Sequence, residues 1–184
     1  MAETPSTFTL RPGAEAPDFS LPDGHGAMHR LADLAGPAGT LVVFVCNHCP
    51  FVVHLADQLG ACAREIAKQG VASIAINSND VVKYPADAPD KMLGFAAAHR
   101  WDFPYLFDES QQVARAYDAA CTPDFFLFDR HLRLAYAGQF DNSRPGRGTA
   151  DGADLREALG RMLAGDDSLQ PWRPSTGCNI KWKG

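Results

Sequence analysis

The chain has 184 residues, enough for one domain with a substantial core, and its 46% hydrophobic and 21% charged residues are ordinary for a globular protein. A net charge of −5 offers no basic footprint for nucleic acid, and no apolar run approaches the ~20 residues of a membrane span, so neither is expected as a partner. Five cysteines, an odd number, argue against a closed disulfide framework and for a cytoplasmic protein with functional thiols. The opening Met1–Thr7 has no basic n-region and no apolar h-region, so no secretory signal is expected.

Residues 1–12 read as a leader that gains order only by docking, and 13–184 as a single domain with 165–184 as a docked tail. An extended piece from Gly13 to Leu21, the turn signal Asp23-Gly24-His25-Gly26 and the stretch to about His29 predict a small hairpin. A helical turn, Leu31–Leu34, closes at Gly36-Pro37. Leu41–Val45 is a β-branched apolar run suited to a buried strand. A helix starting at Pro50 carries Val52, Leu55, Leu59, Cys62 and Ile66 at three- and four-residue spacing, a core-facing stripe. Val71–Ile76 is a second buried strand, which completes a right-handed βαβ unit. The loop from Asn77 to Asp90 leaves the carboxyl end of that strand, where open α/β sheets place their sites. Lys91–His99 and Gln111–Tyr117 read as helices, with an extended piece at Phe103–Phe107 between them. Asp124–Phe128 and Leu132–Ala137 pair antiparallel across Asp129-Arg130-His131, a loop covers Asp141–Gly152, and Leu155–Leu163 is the last helix.

Chemistry concentrates between the first buried strand and its helix, at Cys46-Asn47-His48-Cys49. The free N–H groups and positive dipole end of a helix stabilise a thiolate there, lowering the first cysteine's pKa. Three-residue separation on a tight turn brings the two sulfurs within disulfide reach. A reversible dithiol/disulfide is the expected product. Cys46 is then the exposed nucleophile, and Cys49, a turn deeper, resolves the mixed disulfide. His48 either tunes the potential of the pair or faces solvent with no share in the chemistry. Zinc is the natural competitor for C-x-x-C, but it wants four ligands. His25 and His29 have suitable spacing yet fall in the predicted hairpin, so no metal is expected. Cys62 lies on the apolar stripe and reads as a small buried hydrophobe.

The element order, with C-x-x-C after the first long strand, resembles the α/β thioredoxin-like fold: a central mixed β-sheet flanked by helices, here with an extra N-terminal hairpin and a C-terminal tail. Ala16-Pro17-Asp18-Phe19-Ser20-Leu21 resembles the opening strand of its peroxiredoxin-like branch, the alkyl-hydroperoxide-reductase/thiol-specific-antioxidant (AhpC/TSA) and membrane-tethered thiol reductase families. Phe44–Val52, with its Cys-Asn-His-Cys-Pro core, Thr122–Asp129 and Pro174–Lys183 resemble one subgroup of thioredoxin-like proteins within it. The resemblance implies a cis Pro123, preceded by Thr122, facing the redox pair and shaping a substrate groove. It also implies antioxidant-type redox chemistry on a thiol or disulfide of a protein or small thiol, with no cofactor beyond the redox-active disulfide and an electron donor left open. His48 resembles the histidine of strongly oxidising oxidases, which implies a potential above that of thioredoxin.

Peroxiredoxins support their peroxidatic thiolate with a Thr, a Pro and an Arg. Counted from Cys46 these fall on Val43, Gly39 and Pro123; counted from Cys49 the first two fall on Cys46 and Val42. All three supports are missing, so the expected activity is thiol–disulfide exchange. A thiol peroxidase with Cys178 as resolving thiol is the alternative, and a redox-sensing binding module without turnover is the alternative of another class. Cys121, next to Thr122-Pro123, is a third thiol or packing; Cys178 is an auxiliary thiol near the site or packing. Trp172 and Trp182 read as anchors for the tail.

Overall fold

The computed structural model describes residues 3–166 and 172–184. Its strands, in chain order, are β1 (Glu3–Pro5), β2 (Ser20–Pro22), β3 (Met28–Arg30), β4 (Gly39–Phe44), β5 (Val71–Asn77), β6 (Tyr105–Phe107), β7 (Cys121–Thr122), β8 (Asp124–Asp129), β9 (Leu134–Gly138) and β10 (Thr176–Asn179). The helices are α1 (Leu31–Leu34), α2 (Pro50–Ala67), α3 (Pro89–Ala98), α4 (Gln112–Tyr117) and α5 (Ala153–Leu163), with a 3-10 turn at Pro85–Asp87. Among the described residues no helix is long and apolar enough to cross a membrane.

The central sheet runs β6-β5-β4-β8-β9, parallel through β6, β5 and β4 and antiparallel across β8 and β9. All six residues of β4 are buried because both faces of the sheet are covered. Successive side chains of a strand point to opposite faces, so β4 divides between two cores. Leu41, Val43 and Val45 join the α2 stripe (Val52, Leu55, Leu59, Cys62, Ile66), while Val42 and Phe44 pack with Leu21, Val113 and Tyr117. Each fully buried Val, Leu, Ile or Phe contributes about 1.5–3 kcal/mol, which makes this double-sided packing the main source of stability.

β9 begins at Leu134, two residues later than the alternation suggests. Leu132 adopts a left-handed φ of 56° and its N–H bonds the Asp129 carbonyl, while Arg133 bridges to Glu15. Leu132 and Arg133 are thereby drawn into the turn and away from the β8–β9 ladder.

The tail is more regular than its sequence suggests. β10 is the middle strand of a second sheet, β1-β10-β7, with Cys178 opposite Glu3 on one side and Thr122 on the other. The segment read as a leader therefore docks through β1, and Phe8 and Leu10 pack on the second core. Trp182 lies under the Arg115 guanidinium, 4.6 Å from its ring centroid, and Trp172 packs edge-on against Phe8 and Tyr136. The part of the tail at residues 167–171 lies outside the described residues.

Candidate active site

Cys49 is the N-cap of α2, with Pro50 at the first helical position and the N–H groups of Val52 and Val53 on the Cys49 carbonyl. Cys46 lies just past the end of β4. Opposite them stands β7, where the Thr122–Pro123 peptide bond is cis. Cys46 Sγ is 3.5 Å from Thr122 Oγ1, and Cys49 Sγ is 3.1 Å from the Thr122 carbonyl oxygen. Cys178, delivered by β10, places its Sγ 2.9 Å from Cys49 Sγ. Three thiols thus meet around one residue.

One expectation is corrected here. Cys46 is not exposed: 1% of its surface is accessible, against 0% for Cys49. The loop after β5 closes over the turn, and its organiser is Asp87, itself fully buried. One carboxylate oxygen of Asp87 accepts the backbone N–H of Asn47 (2.8 Å) and of His48 (3.3 Å). The other accepts from Asn79 Nδ2 (2.9 Å) and meets His48 Nδ1 (2.7 Å). Asn47 is held further by the Ala86 carbonyl and by the Tyr105 hydroxyl. Pinned this way, the turn points both thiols inward at Thr122.

The two thiols of the turn titrate together. The hydrogen bond shared with Cys49, then burial, then the Asp87 carboxylate push the Cys46 thiol up. The hydrogen bond from Cys46 pulls Cys49 down to about 5 against the burial that opposes it, and Cys178 and Thr122 add to the pull. Coupled groups titrate as a pair. The pair therefore gives up its first proton readily and its second reluctantly, and the proton that remains is shared between the two sulfurs at the helix N-terminus.

His48 is clamped, not free in solvent. Its side chain is 24% exposed, bonded to Asp87 and stacked on Tyr84 at 5.4 Å with rings 9° from parallel. Cys46, His48 and Asp87 bring ligand atoms within 4.8 Å of one another, a three-donor set for a cation. Within the set, His48 Nδ1 already meets Asp87 Oδ2, which makes it a hydrogen-bonded dyad beside a thiol. His29 pairs with Asp23 and His54 with Ser143 Oγ. Cys121 is buried with its thiol on the Pro123 carbonyl (3.6 Å), and burial pushes it up; burial does the same to Cys62. Asp87, Asn79, Tyr84 and Tyr105 were not singled out from sequence. The available signal for Asn79, Tyr84 and Asp87 was their position on the loop at the carboxyl end of β5; Tyr105 opens the neighbouring strand β6 and had no such signal.

Comparison with known proteins adds to this geometry. The model of the AhpC/TSA family matches residues 12–137. The crystal structure of an uncharacterized conserved protein from Geobacillus kaustophilus is 45% identical with a TM-score of 0.94, over 100% of this chain and 97% of that one. Thiol-disulfide oxidoreductase ResA of Geobacillus kaustophilus (strain HTA426) is 32% identical over 122 residues, 65% of this chain and 64% of that protein. The chain thus spans somewhat less than two thirds of that relative's length. Peroxidoxin BcpB of Mycobacterium tuberculosis, 22% identical with a TM-score of 0.63 over 84% of this chain and 97% of that one, shares the thioredoxin-like fold.

Proposed function

The chain belongs to the AhpC/TSA family, and from that premise we propose that it is a thiol–disulfide oxidoreductase working through Cys46 and Cys49. The observation that carries the proposal is the convergence of both thiols on Thr122, beside a cis Pro123 and at the N-terminus of α2.

Cys46 is the substrate-facing thiol: its sulfur lies within 4.8 Å of a ring nitrogen of His48, whose side chain is 24% exposed, whereas Cys49 faces the Thr122 carbonyl and Cys178. On substrate binding the shared proton moves to Cys49, and the Cys46 thiolate attacks one sulfur of a disulfide. The other substrate sulfur leaves with the electron pair and takes up a proton. Cys49 then loses its proton and attacks Cys46 Sγ; the second substrate thiol departs and a Cys46–Cys49 bridge remains. The reverse sequence oxidises a dithiol. Thr122 holds both sulfurs through the cycle, and Pro123 shapes the groove beside them. His48, oriented by Asp87, favours the reduced pair, which sets the potential above the roughly −270 mV of thioredoxin. The cytoplasm, with a protein or small-thiol substrate, is the proposed setting.

The test is turnover of a small aromatic disulfide with a dithiol reductant. Cys46→Ser loses turnover, and Cys49→Ser accumulates a mixed disulfide at Cys46. Retained turnover in Cys46→Ser sinks the assignment. The peroxidase reading is favoured by one observation, the Cys49–Cys178 contact. It predicts peroxide consumption that depends on both residues, which the same preparations can report.

A further inference from the structure

We propose that Cys178 is the third thiol of a relay with Cys49 as its pivot. The disulfide made between Cys46 and Cys49 passes to Cys49 and Cys178, leaving Cys46 as a free thiol in the oxidised protein. The proposal rests on the exchange reading of Cys46 and Cys49 and takes it one step further.

The sulfurs of Cys49 and Cys178 are 2.9 Å apart, less than about 1 Å beyond the ~2.05 Å of an S–S bond. This closeness is built in from several directions. Cys178 pairs in register with Thr122, the residue that touches both other thiols. A Cβ on Gly177 would lie 1.9 Å from the Thr122 carbonyl oxygen, so only glycine lets β10 come this near β7. The chain beyond is tied to the loop that caps the site. The Lys181 N–H donates to Asn79 Oδ1 (2.8 Å), the Asp80 N–H to the Lys181 carbonyl (2.8 Å), and Gln111 Nε2 to the same carbonyl (2.9 Å). β1 closes the other side of the strand. Cys178 is therefore delivered to Cys49 by fixed backbone, with no swing required. Cys121, equally buried, directs its thiol to the Pro123 carbonyl instead.

The transfer is redox-neutral. Cys178 Sγ attacks Cys49 Sγ in the Cys46–Cys49 bridge, the Cys49–Cys178 bond forms, and the Cys46–Cys49 bond breaks. Cys46 leaves with the electron pair and takes the proton that Cys178 gives up. The oxidised protein then keeps a nucleophile at the groove and can engage a second disulfide substrate before it is itself reduced.

The experiment oxidises the full chain and its Cys46→Ser variant in glutathione buffers, quenches in acid, alkylates after unfolding, and maps the peptides without reduction. Wild type is expected to give both Cys46–Cys49 and Cys49–Cys178 linkages, with Cys46 alkylated in proportion to the second. Cys46→Ser is expected to give the Cys49–Cys178 linkage at more than ten times the level of any linkage to Cys62 or Cys121. Absence of that linkage from both proteins, with Cys46–Cys49 present in wild type, overturns the relay and leaves the exchange reading standing. A wild type that forms no Cys46–Cys49 bridge overturns the exchange reading and the relay with it.

Discussion

Asp124 offers a sharp test of how the site is braced. It follows Pro123, is 1% exposed, and accepts from Ser6 Oγ (3.0 Å) and the Ala120 N–H (3.3 Å), so it links β1, β7 and β8. Burial pushes its carboxyl from 3.8 up to about 7, with the hydrogen bonds from Ser6, Ala120 and Ser175 opposing. A folded-state value above the unfolded one means that the folded chain binds the extra proton. Its contribution is complete below about pH 4, is lost as pH rises towards 7, and is constant above. At about 1.36 kcal/mol per pH unit, the interval from 3.8 to about 7 caps the effect on the order of 4 kcal/mol. Asp124→Asn removes the titration and keeps the shape. Its oxygen can take the Ala120 N–H while its amide donates to Ser6 Oγ. Urea midpoints at pH 5 and pH 8 should differ more in wild type than in Asp124→Asn, and subtracting the two slopes cancels the histidines that titrate in the same window. Asp141, held below its ordinary value where burial is outweighed by bonds from Ser143, Gly152 and Asp151, loses its contribution only as pH falls below 3.8 and does not intrude. Equal slopes in the two proteins would refute the reasoning.

In the reduced protein, thiolate absorbance should show the first ionisation of the Cys46–Cys49 pair near pH 5 and the second above pH 9; Cys46→Ala should return Cys49 towards its ordinary value by removing its largest cause. Asp87→Asn weakens the hold on Asn47 and His48 at once; a cost of about 1–3 kcal/mol in stability is expected, read by urea unfolding. Gly177→Ala should cost about 1–3 kcal/mol by forcing β10 off Thr122, and should cut Cys49–Cys178 crosslinking several-fold at matched buffer potential.

Much of the fold was readable because the packing that makes it is periodic. The α2 stripe and the apolar run of β4 name their own buried faces, and the cysteines follow from where strand meets helix. What escaped is what long-range pairing decides. Thr176–Asn179 has no alternation that marks a strand, and it becomes one only between β1 and β7. Asp87 looks like any loop carboxylate until the loop folds back and four donors converge on it. The burial of Cys46 has the same origin, since its cover lies about 40 residues along the chain. A helix dipole can be inferred from local sequence, but the neighbours that surround the two sulfurs cannot.

The sheet that joins β1, β10 and β7 also sets an order of events. Cys46 and Cys49 leave the ribosome with their strand and helix, while the thiol that touches Cys49 comes 129 residues later. Until β10 is made, β1 has no strand to pair with, and the pair stands without its third sulfur. A growing chain can therefore meet oxidants as a plain two-cysteine motif. It acquires the closed, three-thiol arrangement only when β10 slides between β1 and Thr122.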